Sequence, residues 1–470
     1  MPSLNVDPAT LDELAHRTAE LATDYVASLD ERAIMPDARG ADVLERFGGP
    51  LPERGLGPKA FDALSLVADH SRASNGRFFG YVHGPGEPIA ALGDLYASVL
   101  NQNVTAWRSA PAAVTIERTV VGWLAELIGC TGFSGSMTGG GSMGMLLGLA
   151  MARESRAPAA RTGAKPCVVY ASSEVHMAAR KAVAILGIGL NNLRSIPVDD
   201  TFRMRVDELR AAIAEDRRRG LLPIGVVGSA GTINTGAIDP LDEIAAVAVA
   251  EDLWFHVDGA YGALAAMAVP KRFVGLASAD SVALDAHKWL YQPLDASVFL
   301  HRDPGLAHRT FAFIDDYAQS LSADPIEGFM FFEETIELSR RFRALKVWLS
   351  LRYHGAAAFR EAIAENIRQA EALGARIDRE PELERLAPVG LSTVCFRWVG
   401  DRTTDLDERN RALLQRLVTR GRVYLSNATL RDQFALRACI VNPRTTDDDL
   451  AAVVEEVYAA ARSIEEAAPA

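Results

Sequence analysis

A chain of 470 residues, 49% of them hydrophobic, is long enough to bury more than one core. Its 61 acidic residues outnumber 49 basic ones, giving a net charge of −12 and a pI near 5.4, which argues against a nucleic-acid or anionic-membrane surface. Cys130, Cys167, Cys395 and Cys439 stand apart without a CxxC or Cys/His cluster. No apolar run reaches membrane-spanning length, and no basic-then-apolar leader opens the chain. The expectation is therefore a cytoplasmic protein with free thiols, and without disulfides or a metal site.

Residues 8–29 place Leu11, Leu14, Ala15, Leu21 and Tyr25 at helical spacing, with Asp7 and Pro8 as cap and first turn. The Gly- and Pro-rich stretch after them reads as a crossing arm, so residues 1–85 are expected to form an N-terminal helical arm. RFFGYVHGPGEP, residues 77–88, is a turn-rich aromatic loop. In TGFSGSMTGGGSMGMLLGLAMAR a glycine cluster runs straight into an apolar helix. Gly141, Ser142 and Met143 then offer backbone N–H groups at a helix N-terminus, an anion site suited to a phosphate. Gly139, Gly141 and Gly144 also spell GxGxxG, the dinucleotide fingerprint. Against that reading, VVGWLAELIG before the glycines looks helical, and neither the required strand nor a downstream ribose-binding acid is evident.

Strand-like CVVYA is followed by SSEVH and the helix MAARKAVAILG, which puts His176 just past a strand, where a lone histidine is often structural. IGVVGSAGT is the next strand, and Asp239–Pro240 opens a helix. LWFHV ends in Asp258, and thirty positions later (288 − 258) DSVAL delivers His287 and Lys288. Both charged groups thus sit where strands end, the edge at which α/β sheets place their chemistry. A lysine able to form a Schiff base and a carboxylate able to pair with a pyridinium nitrogen are what pyridoxal phosphate requires of a protein. ASVFLHR adds a strand, and the aperiodic HRTFAFIDDYAQSLSADPIEGFMFF has the length of a functional lid. ELSRRFRALKVWLSLRYHG reads as a periodic helix whose Arg340 and Arg341 are structural. The alternation predicts an α/β fold with a mostly parallel, doubly wound sheet in residues 86–354. From Gly355 a small α+β domain, residues 355–470, follows: a helix, the strands STVCFRWV, RVYLS and FALRACIV, and a last helix over 447–464.

HVDGAYG together with DAHKWL resembles the group II pyridoxal-phosphate-dependent amino-acid decarboxylases, the family of aromatic-L-amino-acid decarboxylase and glutamate decarboxylase. The resemblance runs from about Phe78 to LRACIVNPRT. It implies a fold-type I (aspartate aminotransferase-like) enzyme with a seven-stranded-type sheet, working as a homodimer with shared sites, in which the arm wraps the partner subunit. It also implies that Lys288 holds the cofactor, Asp258 pairs with the ring nitrogen, and His176 stacks on the ring above the small Ala260. Gly141 and Ser142 would bind the phosphate, His287 would reach it, and Thr232 and Asp285 would complete the cofactor contacts. Tyr317, 29 positions after Lys288 (317 − 288), matches the family tyrosine that returns a proton to Cα. Tyr81, Val82, His83, Asn103 and Thr105 fall on substrate-side segments. The chain departs from the family pattern at Ile233, where a threonine is usual. Asn103 and Thr105 are also more polar than their aromatic-decarboxylase counterparts.

Lysine and aspartate do not decide which Cα bond breaks. Retention of His176 and Tyr317 favours decarboxylation of an L-amino acid, aromatic in the first instance, over the aldehyde synthases of the same family. An aminotransferase would hold the substrate carboxylate with a small-domain arginine, for which Arg437 is the candidate. A nucleotide-dependent oxidoreductase built on the glycine cluster is the remaining alternative.

Overall fold

The computed structural model describes residues 4–313, 322–400 and 405–467. Seven strands make the central sheet: β1 (Ser134–Thr138), β2 (Val168–Ser172), β3 (Leu193–Ile196), β4 (Pro223–Ser229), β5 (Trp254–Asp258), β6 (Ser281–Asp285) and β7 (Ser297–His301), in the order β1-β7-β6-β5-β4-β2-β3. Every neighbouring pair is parallel except those made by β7, which runs antiparallel to β6 and to β1. β2, β4, β6 and β7 are buried along their whole length. That requires apolar residues on both strand faces and a layer of helices over each. One face packs against the helices Pro111–Leu127, Val206–Arg218 and Leu241–Ala250 through Leu124, Leu209 and Ile244. On the other, the helices Gly141–Arg156, Met177–Ile185 and Pro304–Phe311 contribute Leu149, Val183 and Phe311.

A strand does precede the glycine cluster, contrary to the expectation from sequence. β1, SGSMT, carries no β-branched run, and its place is set by antiparallel pairing with β7 from Ser134↔His301 to Thr138↔Ser297. The absence of a strand is therefore no argument against dinucleotide binding.

The C-terminal sheet has four antiparallel strands, β8 (Leu383–Arg385), β9 (Thr393–Trp398), β10 (Ser426–Leu430) and β11 (Gln433–Cys439), in the order β10-β11-β9-β8. β8 was not foreseen, and the strand expected at RVYLS lies farther on, starting at Ser426. The helix Ala344–Ile377 joins the two halves and breaks at Gly355 (φ 77°, ψ 154°), where the small domain was expected to begin. It starts later than the periodicity suggested. Residues 340–343 are held by ion pairs: Arg340 with Glu117, both wholly buried, and Arg343 with Asp295 at 2.7 Å and Glu337 at 3.0 Å. Arg340 thus has the structural role expected of it, and Arg341 pairs with Asp295 at 3.0 Å.

At the N-terminus Asp7 caps the helix Pro8–Ala27, its Oδ1 accepting from the Thr10 amide at 3.0 Å, and no residue of this helix is buried. Residues nearer 85 belong with the small domain. Phe79 lies in its core, donates its amide to the Tyr424 carbonyl (2.9 Å), and accepts from the Cys439 amide (2.8 Å).

Candidate active site

The ends of β4, β5 and β6 come level, with Ser229 paired to Asp258 and Asp258 to Ala283. They open on a cavity of about 230 Å³ walled on its other sides by the glycine turn after β1 and the turn after β2. Lys288 enters it from the one-turn helix Ala286–Trp289 that closes β6. Gly141, Ser142, His176, Thr232, Asp258, Ala260, Asp285, His287 and Lys288 all line this cavity, although they come from five separate loops of the chain. Val82 lines it too; Tyr81, His83, Asn103 and Thr105 do not. Tyr317 lies outside the described residues.

The charged groups are arranged around Lys288. Its Nζ is 2.9 Å from Asp285 Oδ2, and Ser297 Oγ donates to Asp285 Oδ1 at 2.5 Å. Burial alone would raise the Asp285 carboxyl, but the Lys288 charge and the hydrogen bond from Ser297 hold it below the ordinary carboxylate range. Asp258 is the opposite case: burial raises it against the pull of Lys288 and the Ala260 amide, 3.2 Å away. A cationic ring nitrogen beside it would restore its charge. Burial lowers His176, so its imidazole is neutral at pH 7. His176 also caps the helix Met177–Ile185, accepting the Ala178 amide on Nδ1 at 3.2 Å, which leaves the ring proton on Nε2.

The glycine turn is shaped to its neighbours. A Cβ on Gly141 would stand 2.7 Å from the Ala260 methyl and 3.2 Å from both Asp285 oxygens. One on Gly144 would stand 2.6 Å from the Ala283 methyl. The helix therefore seats flush on the ends of β5 and β6, and no side chain caps it. Its first amides face the cavity as an anion site, so the donor set fits a phosphate at one end and a charged ring nitrogen at the other.

Two contributors were not read from sequence. Tyr261 lines the cavity, stacks on Trp289 (5.1 Å, 25°), and shares its hydroxyl with Ser392 Oγ (2.7 Å) and Thr393 Oγ1 (3.1 Å). It thereby ties the cavity wall to β9, and only its place in HVDGAYG could have pointed to it. Gly84 is the other. Its amide donates to the His287 carbonyl (3.3 Å), and a Cβ there would come within 2.7 Å of the Lys288 carbonyl oxygen. The loop 77–88 thus lies directly on the backbone of the lysine turn.

The remaining expected residues have partners of their own. His83 is driven down to about 4 by burial, then by Arg72 and His287. The Tyr81 hydroxyl is 3.1 Å from that of Tyr424. Asn103 accepts the Arg340 amide (2.9 Å), and the Thr105 carbonyl accepts that of Phe331 (2.9 Å). Arg437 is spent on Ser426 Oγ (3.0 and 2.8 Å) and on the Ile233 carbonyl. Thr232 Oγ1 is 3.0 Å from Thr235 Oγ1, within its own turn.

A seven-stranded, mostly parallel sheet with a small C-terminal domain, and a lysine and an aspartate facing one phosphate-sized cradle, define a fold-type I pyridoxal-phosphate enzyme. Residues 63–399 match the pyridoxal-dependent decarboxylase conserved domain, so the chain belongs to that family; its cofactor is pyridoxal phosphate and it is an amino-acid carboxy-lyase. It is 32% identical over 472 residues to an aromatic-L-amino-acid decarboxylase of Bacillus atrophaeus, covering 98% of each chain. It is 31% identical over 430 residues to an L-2,4-diaminobutyrate decarboxylase of Rhizobium meliloti, covering 88% of this chain and 84% of that one. Among solved structures, 4-hydroxyphenylacetaldehyde synthase of Rhodiola rosea superposes with a TM-score of 0.87 at 26% identity, over 98% of this chain and 99% of that one. Family membership disposes of the dinucleotide alternative.

Proposed function

We propose that this chain converts an L-amino acid, aromatic in the first instance, into the corresponding amine and carbon dioxide. The observation that carries the reading is the convergence of Lys288, Asp258, His176 and the glycine turn on one cavity. Bound there, pyridoxal phosphate supplies the electron sink for the pair left at Cα when carbon dioxide departs. Lys288 is the tether. Asp258 holds a proton at the ring nitrogen, where its own burial makes a cationic partner favourable. Gly141 and Ser142 would bind the phosphate by their amides, and Ala260, being small, would leave room for the ring. His176, whose Nδ1 accepts the Ala178 amide, would lie against the ring and keep its Nε2 proton for the substrate. Tyr317, which matches the family's tyrosine by its distance from Lys288 in the sequence, returns the proton to Cα.

The working unit in this reading is a homodimer. Asn103 and Thr105 do not reach the cavity of their own chain, so a role in the pocket requires a second copy. The helix Pro88–Leu100 leaves Leu92, Leu95, Tyr96 and Val99 exposed along one side, as an unpartnered interface helix would. A cytoplasmic location fits the four free, buried cysteines, and no helix among the described residues is long and apolar enough to cross a membrane.

Incubation with added pyridoxal phosphate and each common amino acid, with carbon dioxide and amine quantified, tests the reaction. One amine in stoichiometric yield is expected. Aldehyde with oxygen uptake would place the chain with the aldehyde synthases, and Tyr317→Phe is expected to produce that outcome from the wild-type enzyme.

A further inference from the structure

Asp285 is wholly enclosed, and the positive charge nearest to it is Lys288 Nζ, at 2.9 Å. It also lies beneath the glycine turn, since a Cβ on Gly141 would meet both its oxygens at 3.2 Å. Both facts change when the cofactor arrives. Condensation forms a C=N bond from Nζ and breaks the C=O bond of the aldehyde; the oxygen leaves as water with two of the three ammonium protons. The nitrogen keeps one proton, now on a group joined to the cofactor rather than free to serve Asp285. At the same time a phosphate with a charge of about −1.5 to −2 settles at the helix N-terminus over the same carboxylate. A buried anion thus loses its main donor and gains a like charge, a combination that must be neutralised.

His287 is placed to do so. Its Nε2 is 3.5 Å from Asp285 Oδ2, and its Nδ1 is 3.1 Å from the Ala296 carbonyl oxygen, so a charged ring would have an acceptor on each side. We infer that Asp285 and His287 form a proton-holding pair, and that capture of pyridoxal phosphate is accompanied by uptake of one proton at the His287 imidazole. The other groups facing the pair are Asp258 from the end of β5, His176 from the turn after β2, Asp295 from the loop before β7 and His83 from loop 77–88. In the cofactor-free protein His287 is kept neutral, mainly by burial and in part by the Lys288 charge, so the proton is not already in place. His287 and Asp285 act here as positioning residues for the cofactor. The inference rests on the placement of the phosphate and of Lys288 proposed above.

The test is the affinity for pyridoxal phosphate between pH 6.5 and 8.5, read from protein fluorescence or cofactor absorbance, in wild type, Asp285→Asn and His287→Gln. Uptake of one proton makes the wild-type Kd rise about tenfold per pH unit more steeply than in either variant, by linkage. Ionisations of the cofactor itself are common to all three proteins and cancel in the comparison. Calorimetry of the wild type and both variants in two buffers of different ionisation enthalpy counts the extra proton by difference. Parallel slopes together with the same buffer dependence in all three proteins overturn the pair. Failure of wild type to bind the cofactor at any pH overturns the underlying placement instead, which keeps the two failures distinct.

Discussion

Asp258 and Asp285 are two carboxylates one strand apart that the surroundings push in opposite directions. Burial wins at Asp258, and the charge of Lys288 with the Ser297 hydrogen bond wins at Asp285. Such divergence within one cavity is the mark of groups with different tasks. Replacing Asp258 by alanine should slow turnover by roughly 10²–10³-fold, the effect of losing one preorganised electrostatic partner. The comparison is kcat at saturating cofactor; a variant within twofold of wild type would make Asp258 merely structural. A second residue speaks to stability. His256 is fully buried in β5, with Nδ1 2.8 Å from Ser281 Oγ and no partner for Nε2 among the described residues, and burial drives it down to about 3. Its folded pKa is depressed, so the stability it contributes is present above about 6.5, its unfolded value, and is lost as pH falls from there toward 3. His256→Gln should therefore remove about 1.4 kcal/mol of the wild-type loss in unfolding free energy per pH unit below 6.5. Urea unfolding of both proteins at pH 7.5 and 5.5 checks this; an unchanged pH dependence would show that His256 does not titrate on unfolding.

At the scale of elements, the candidate site was legible wherever one of its residues closes a strand of strong β character. VVYAS, WFHVD and SVALD announce themselves, and Asp258, Lys288 and His176 follow at or just past their ends. β1 was not legible, because SGSMT is a strand only through its partner β7. The same limit hid the start of the helix Ala344–Ile377 and the role of Tyr261. Arg340 meets Glu117 across 223 positions of sequence, and Tyr261 meets Ser392 across 131, separations no local pattern reports. Loop 77–88 reads as an aromatic turn, yet of its residues only Val82 lines the cavity, while Gly84 lays its backbone against His287 and Lys288. Gly84→Ala should force this loop off the lysine turn, at a cost of about 1–3 kcal/mol of the overpacking kind. Cofactor affinity is expected to fall further than the thermal midpoint does. Full affinity would mean that the loop moves without disturbing Lys288.

For the whole molecule, the cavity is tied to the small sheet, since Tyr261 on its wall carries the end of β5 to Ser392 and Thr393. The exposed row Leu92, Leu95, Tyr96 and Val99 and the helix Pro8–Ala27, with nothing buried, are what a chain meeting a second copy would display. Leu95→Asp, on the outward side of its helix, should shift the protein from dimer toward monomer in sedimentation velocity and lower activity with it. A monomeric wild type of full activity would remove the second copy from the account.

The central claim is that Lys288 holds pyridoxal phosphate. The chain has six lysines, and Lys288 is the one that lines the cavity; Lys346, the deeply buried one, is engaged by Asp94 at 2.7 Å. Reduction of the cofactor-loaded protein with borohydride, followed by peptide mass mapping, measures the attachment directly. The account predicts a single pyridoxyl adduct on Lys288, absent from Lys288→Ala. An adduct on a different lysine in the native protein, or none, would contradict it.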